Sequence, residues 1–202
     1  MLLFEKNSDG KERQQSIIGI CGLTGCIVPK DVGNLLDRLK ALSNGQQLLA
    51  AQIFNSEMIA THLHILVSAL YAIRAFDRSR NISNTIGTEI LLYASAQRQI
   101  VDAIQRIGVK PESSNVAAVA ISSRRDLASQ TLTIIAKELA GEIDDSVLSI
   151  SSPTKARTIR TVFGITEEEL NSVGIIETDL KSAEWAITKR VLSRISIMAI
   201  SK

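Results

Sequence analysis

Two cysteines, Cys21 and Cys26, and two histidines, His62 and His64, are the chain's whole stock of thiols and imidazoles. Four-thiolate zinc is impossible with two cysteines, and a mixed site needs all four residues in one place. His62 and His64 are two apart, which on a helix points them about 200° apart. Both cysteines lie among apolar residues with no base beside them. That is the setting of buried, inert thiols, not of a nucleophile. They form no disulfide framework, so a reducing, cytoplasmic compartment is expected. Gly19, Gly22 and Gly25 (GICGLTG) sit between an apolar run and a helix, where a phosphate loop would be. The Walker ending is missing, since Cys26 and Ile27 follow Gly25, and the G-x-G-x-x-G spacing is not met. A tight turn of small residues is expected there. Asp144-Asp145 and Glu167 to Glu169 read as solvated turns. These residues argue against an enzyme and imply no metal or organic cofactor.

The cations are distributed more tellingly. Arg74, Arg78 and Arg80 cluster at the end of a long helical stretch, with Arg74 and Arg78 four apart on one edge. A helix C-terminus favours cations through its dipole, so a structural role competes with phosphate binding. Arg98, Asp102 and Arg106 are spaced as an exposed ion-pair ladder. Arg124-Arg125, Lys155/Arg157/Arg160 and Lys189/Arg190/Arg194 are further basic groups. In the last helix Leu180, Ala183, Ile187 and Val191 make one apolar stripe. Trp185 and Leu192 lie roughly 120–140° away from Leu180. So wide an arc means either burial on both faces or a partner surface anchored by the only tryptophan.

Alternating helices and short strands must position these groups. Met1 to Phe4 is apolar, Asn7 to Gln15 is a polar turn, and Ser16 to Leu23 suits a buried strand. Pro29 at a first helical position opens a helix on Val32, Leu35, Leu36, Leu39 and Leu42, stopped by Asn44-Gly45. Leu48 to Phe54 is a strand, with Asn55 or Ser56 capping the next helix. That helix is expected to be the longest, with Ile59, Leu63, Leu66, Leu70, Ile73 and Phe76 on its buried stripe. Glu89 to Tyr93 (EILLY) reads as a strand, and Ser95 as the start of a helix with Ile100, Ala103, Ile104 and Ile107 inside, ended by Gly108. Val116 to Ile121 is a strand, Leu127 to Leu139 a helix, and Val147 to Ile150 a short strand. Ser152-Pro153 begins a helix, Glu167 to Leu170 is a helical turn, and Asp179 to Arg194 is the final helix. The class is α/β or α+β, one domain over residues 1–202, with a small mixed or antiparallel sheet covered by helices.

Composition agrees with an ordinary globule. The chain has 202 residues, 45% hydrophobic and 22% charged, which excludes a mostly disordered chain. A formal charge of +2 announces no nucleic-acid binder by itself. At 3% aromatic, the chain has no row of rings on which bases could stack. No run approaches the roughly 20 apolar residues of a membrane span. The apolar start is also too short for a signal peptide.

The stretch from His62 to Val109 carries His62-Leu63, an alanine-rich helix with Ala69 and Ala72, Arg74-Ala75-Phe76 and Asn81-Ile82. Then come Glu89 to Tyr93, Arg98-Gln99-Ile100, Ala103 and Gly108. This order resembles the regulatory subunit of the KEOPS complex, the family that includes the PRPK-binding protein of animals. Phe163 to Leu170 (FGITEEEL) and the ending Val191 to Ile200 resemble it more weakly. The N-terminal region carries little of the pattern, and Arg124 to Ile150 is only loosely similar.

The resemblance implies a non-catalytic subunit that binds the complex's small atypical kinase/ATPase. It further implies help in recruiting tRNA, in archaeal forms through the 3′ CCA end, for threonylcarbamoyladenosine modification next to the anticodon. Other KEOPS subunits would be met indirectly. On this reading Arg74, Arg78 and Arg80 are the RNA candidates. Arg98 is either a fourth or an architectural partner of Glu89. Trp185, Lys189, Leu192 and Ile195 are the kinase candidates. The alternative is a DNA-binding regulator with a helix-turn-helix in Thr154 to Val191, although Asp179, Glu184 and Trp185 make a poor face for a phosphate-lined groove.

Overall fold

The computed structural model describes residues 1–6, 16–42, 48–172 and 180–200. The polar turn at Asn7 to Gln15 and the Asn44-Gly45 stop fall outside them. Strand β1 (Leu2–Lys6) runs antiparallel to β2 (Ser16–Thr24), β2 to β4 (Val116–Ser122), and β4 to β3 (Leu48–Asn55). The order is β1-β2-β4-β3, and the two-residue β5 (Glu142–Ile143) pairs with the end of β2. The class is therefore α+β, with an open antiparallel sheet.

β4 explains why the sheet holds. Ala117, Val119 and Ile121 point into one core, and Val116, Ala118 and Ala120 into another. With both faces covered, the strand reads as an unbroken apolar run. Helix α1 (Val32–Leu42) and α5 (Arg125–Glu138) close one face through Leu35, Leu132 and Ile135. The other face carries α2 (His62–Asp77), α3 (Ile86–Ser95), α6 (Pro153–Phe163) and α8 (Leu180–Ile200). Helix α4 (Ile100–Ile107) packs on α3, and the short α7 (Glu167–Asn171) on α8.

Several expectations are corrected. Most of the glycine segment is strand: Gly19 and Gly22 lie inside β2, and only Gly25, with a left-handed φ of 67°, sits in a bend after it. A Cβ at Gly22 would overlap the Asp144 carbonyl oxygen, so glycine there admits a neighbouring turn. Glu89 to Tyr93 is helical, within α3. The Thr85 hydroxyl caps that helix by accepting from Thr88 N at 3.2 Å. Its run Ile90 to Tyr93 is buried all round, so no period shows in the sequence. Ser95 ends this helix and does not start the next. Val147 and Leu148 belong to a 3₁₀ turn (Asp145–Leu148). Pro29 precedes α1, where the Asp31 carboxylate accepts from Asn34 N at 2.9 Å. Asn55 caps only the 3₁₀ turn Ser56–Met58. The longest helix is α8, not α2.

The buried face of α2 is also shifted. Leu63 is 41% exposed, while Ile65, Ser68, Ala69, Ala72 and Ala75 are buried. Small side chains let α2 lie close to α3. The starts of α6 and α7 follow sequence expectation. Ser152 Oγ accepts from Lys155 N at 3.1 Å ahead of Pro153, and Thr166 with Glu169 forms a capping box.

Helices α2, α3, α5 and α6 end in the same way. The residues Ser79, Ala96, Ala140 and Gly164 adopt left-handed φ of 52, 51, 50 and 60°. The next N–H in each case returns to a carbonyl five residues back: Arg80 to Ala75, Gln97 to Leu92, Gly141 to Ala136, Ile165 to Arg160. This is the Schellman stop, and glycine is its usual left-handed residue. Three of the four positions lack it.

Candidate functional site

Helix α3 organises the candidate surface from both ends. Before it, the Glu89 carboxylate is fully buried, and its Oε2 accepts from Ile82 N at 2.9 Å, Ser83 N at 2.8 Å and Ser83 Oγ at 2.9 Å. These bonds fix the loop that leaves α2. After it, the Ala94 carbonyl accepts from His64 Nε2 at 2.7 Å, and the Ser95 carbonyl from Arg106 at 3.1 Å. His64 Nδ1 in turn accepts from Ala60 N at 3.3 Å, so the imidazole is neutral with its proton on Nε2. Burial pushes its pKa down to about 4.

Arg74, Arg78 and Arg80 are exposed at the first of these ends. Among the described residues, no acidic group engages Arg74 or Arg78, and Asp77 is taken by Lys6 at 2.9 Å. Arg98 stands beyond the far end, about 15 Å along a helix of this length. It joins Arg106, Asp102, Gln97, Gln99 and Arg194 around a cleft of about 540 Å³ floored by Phe163, Ile197 and Met198. The ladder of Arg98, Asp102 and Arg106 is thus not one helix edge, because α4 starts at Ile100. The Arg106 guanidinium lies 5.9 Å over the Phe163 ring, and burial lowers its pKa. The four RNA candidates therefore form two places, an exposed edge and a cleft.

Several of the other basic side chains engage partners within the chain. Lys155 is 3% exposed and donates to the Val147 carbonyl at 2.6 Å; burial brings its pKa down to about 8. Arg160 pairs with Glu167, and Arg124 with Asp126. Arg125 reaches Glu5 at 2.5 Å. Arg194 donates to both Glu169 oxygens, at 2.6 and 2.8 Å, and Arg190 to the Glu169 carbonyl at 2.9 Å. Of these two, only Arg190 lies inside the Thr154 to Val191 helix-turn-helix segment, and it is engaged within the chain. The partners of Arg125, Arg190 and Arg194 are far away in sequence, which is why these clusters looked available.

On α8 the kinase candidates separate. Trp185 is 53% exposed, with Lys189 Nζ 4.8 Å from its ring centroid. Leu192 is half-buried against the core. Ile195 is fully buried with Ile187 and Val191, so it packs the interior and is not available as a contact. The expected interior of α4 is corrected: Ala103 and Ile107 are buried, but Ile100 and Ile104 are exposed and, with the 74%-exposed Val101, form an aliphatic surface. The adjacent pair Ile100-Val101 was the available signal, since one buried face of a helix cannot hold both fully.

The cysteines have no catalytic setting. Burial foremost, with Asp145 nearby, raises the Cys21 pKa to about 12, and burial raises that of Cys26. Among the described residues, no three His, Cys, Asp or Glu side chains are grouped to hold a metal ion. Among the same residues, no helix is long and apolar enough to cross a membrane.

Comparison with known proteins adds to this geometry. The family model described as kinase binding protein CGI-121 matches residues 29–198. The regulatory protein Cgi121 of Methanocaldococcus jannaschii is 35% identical over 135 residues, covering 64% of this chain and 84% of the relative.

Proposed function

Since this chain belongs to the CGI-121 family of kinase-binding regulatory proteins, we propose that it is a non-catalytic, cytoplasmic subunit of a KEOPS complex. It binds the small atypical kinase/ATPase of that complex and recruits tRNA through the 3′ CCA end, for threonylcarbamoyladenosine modification next to the anticodon. Other subunits are reached through the kinase.

The observation that carries the RNA part is the pair of places around α3. Arg74 and Arg78 offer two exposed guanidinium groups with no acidic partner among the described residues, and phosphates are held by such charges. The cleft behind Arg98 combines guanidinium, amide and apolar walls, a lining suited to an unstacked terminal base. For the kinase, the exposed Trp185 with Lys189 over its ring, on the same helix as the half-buried Leu192, offers an aromatic anchor of the kind that dominates protein interfaces.

A titration at fixed salt compares intact tRNA with the same tRNA lacking CCA. Tighter binding of the intact form is expected. Equal affinity for both removes the CCA assignment, and no binding by either removes the RNA role.

A further inference from the structure

Glu89 is a buried carboxylate that serves neither the RNA nor the kinase contacts directly. Three hydrogen bonds converge on its Oε2, and all three come from the loop between α2 and α3. Burying a carboxylate costs several kcal/mol unless donors replace its water. Charge-assisted bonds from two backbone N–H groups and a hydroxyl are that replacement. An apolar side chain would fill the same space, but it would leave those two N–H groups unpaired. The loop's other anchor is the Schellman stop of α2, where Ser79 N donates to Phe76 O and Arg80 N to Ala75 O. Arg80 therefore stands at the first anchor and two residues before the second, while Arg78, whose N–H donates to Arg74 O at 3.2 Å, is held by α2 itself. Asn81 Nδ2 donates to Ser83 O at 2.9 Å and closes the interval.

We propose that Glu89 is the positioning residue of Arg80 on the arginine edge: its buried carboxylate anchors Ile82 and Ser83, and so holds the loop after the α2 stop in the one conformation that adds Arg80 to the edge Arg74 and Arg78 offer to a polyanion. The inference rests on the RNA reading of that edge. Its physical content is preorganisation, since a loop already ordered loses less freedom on binding. Glu89 itself touches no ligand.

The test uses the full chain, one intact tRNA, and a series of salt concentrations. Glu89→Gln keeps the shape and removes the charge. Affinity is expected to fall by up to about tenfold, the scale set by ordering one long side chain. The slope of log affinity against log salt should also become shallower by about one phosphate contact. In the Glu89→Gln background, Arg80→Ala should weaken binding less than it does in the wild type, because its contact is already lost, whereas Arg78→Ala should be additive. Unchanged affinity in Glu89→Gln, or weaker binding with an unchanged slope and an additive Arg80→Ala, overturns the proposal. Should Glu89→Gln not melt cooperatively, Ser83→Ala decides in its place. It removes one of the three donors, and the same changes are expected at smaller size; wild-type affinity and slope overturn the proposal. Wild-type protein that binds no tRNA defeats the RNA reading itself, whereas wild-type binding untouched by these variants defeats only the role of Glu89.

Discussion

At the scale of single residues, His64 shows how a polar group is kept in this core. The neutral ring joins α2 to the end of α3 and has no room for a second proton. Unfolded, it takes up that proton near its ordinary value of 6.5; folded, only near 4. The stability it confers is therefore complete above about pH 6.5 and lost as pH falls towards 4. The loss is about 3 kcal/mol at the rate of ~1.4 kcal/mol per pKa unit. Urea unfolding at pH 7 and pH 4.5 should show a larger drop for the wild type than for His64→Gln. Equal drops would mean that other groups carry the acid response. Trp185 behaves in the opposite way, being large and half in solvent. Trp185→Ala should weaken kinase capture by about tenfold or more while shifting the melting temperature by only about a degree or two, consistent with a hot spot outside the core. A large fall in melting temperature with unchanged capture would make it a packing residue. Neither role was legible beforehand: one histidine among apolar residues carries no mark of its partners, and one tryptophan on a wide arc fits both fates.

At the scale of elements, what could be read depended on whether signals were local. Ser152-Pro153 and Thr166 with Glu169 mark helix starts within four residues, and both starts stand where expected. β4 was legible as a short, unbroken apolar run. The run at Glu89 to Tyr93 has similar length and character, yet folds as a helix because Thr85 caps it and Ala96 stops it. Contacts made outside their own helices decided the cations: Lys155 was hidden by a turn, and Arg194 by Glu169. The helix stops themselves offer a prediction. Ala96 and Ala140 hold left-handed backbone that costs a residue with a Cβ about 1–2 kcal/mol. Ala96→Gly and Ala140→Gly should each raise the unfolding free energy by about 1 kcal/mol, net of the added freedom of the unfolded chain. A fall in the urea midpoint would show that each methyl group makes packing contacts worth more than the strain.

At the scale of the whole molecule, one sheet is covered by helices on both faces. The chain's small net charge is no obstacle, because many arginines are matched by acids and a few are not. Reversing Arg74 and Arg78 together to Glu should weaken tRNA binding by about tenfold or more and leave kinase capture as it was, with about 1–2 kcal/mol of stability lost to the dipole at the end of α2. Normal tRNA binding in that variant would move the RNA surface elsewhere, with the Arg98 cleft next in order.

The carboxylate under the α2–α3 loop also has a consequence in time. Amides in a loop ordinarily exchange their hydrogens with water quickly, whereas those of a central strand wait for the molecule to open. The N–H groups of Ile82 and Ser83 lie in a loop but donate to a fully buried oxygen. They should exchange on the slow clock of α3, not the fast one of their neighbours. Two slow amides in an otherwise quick segment, followed by exchange at neutral pH, would time the opening of this loop separately from the unfolding reported by β4.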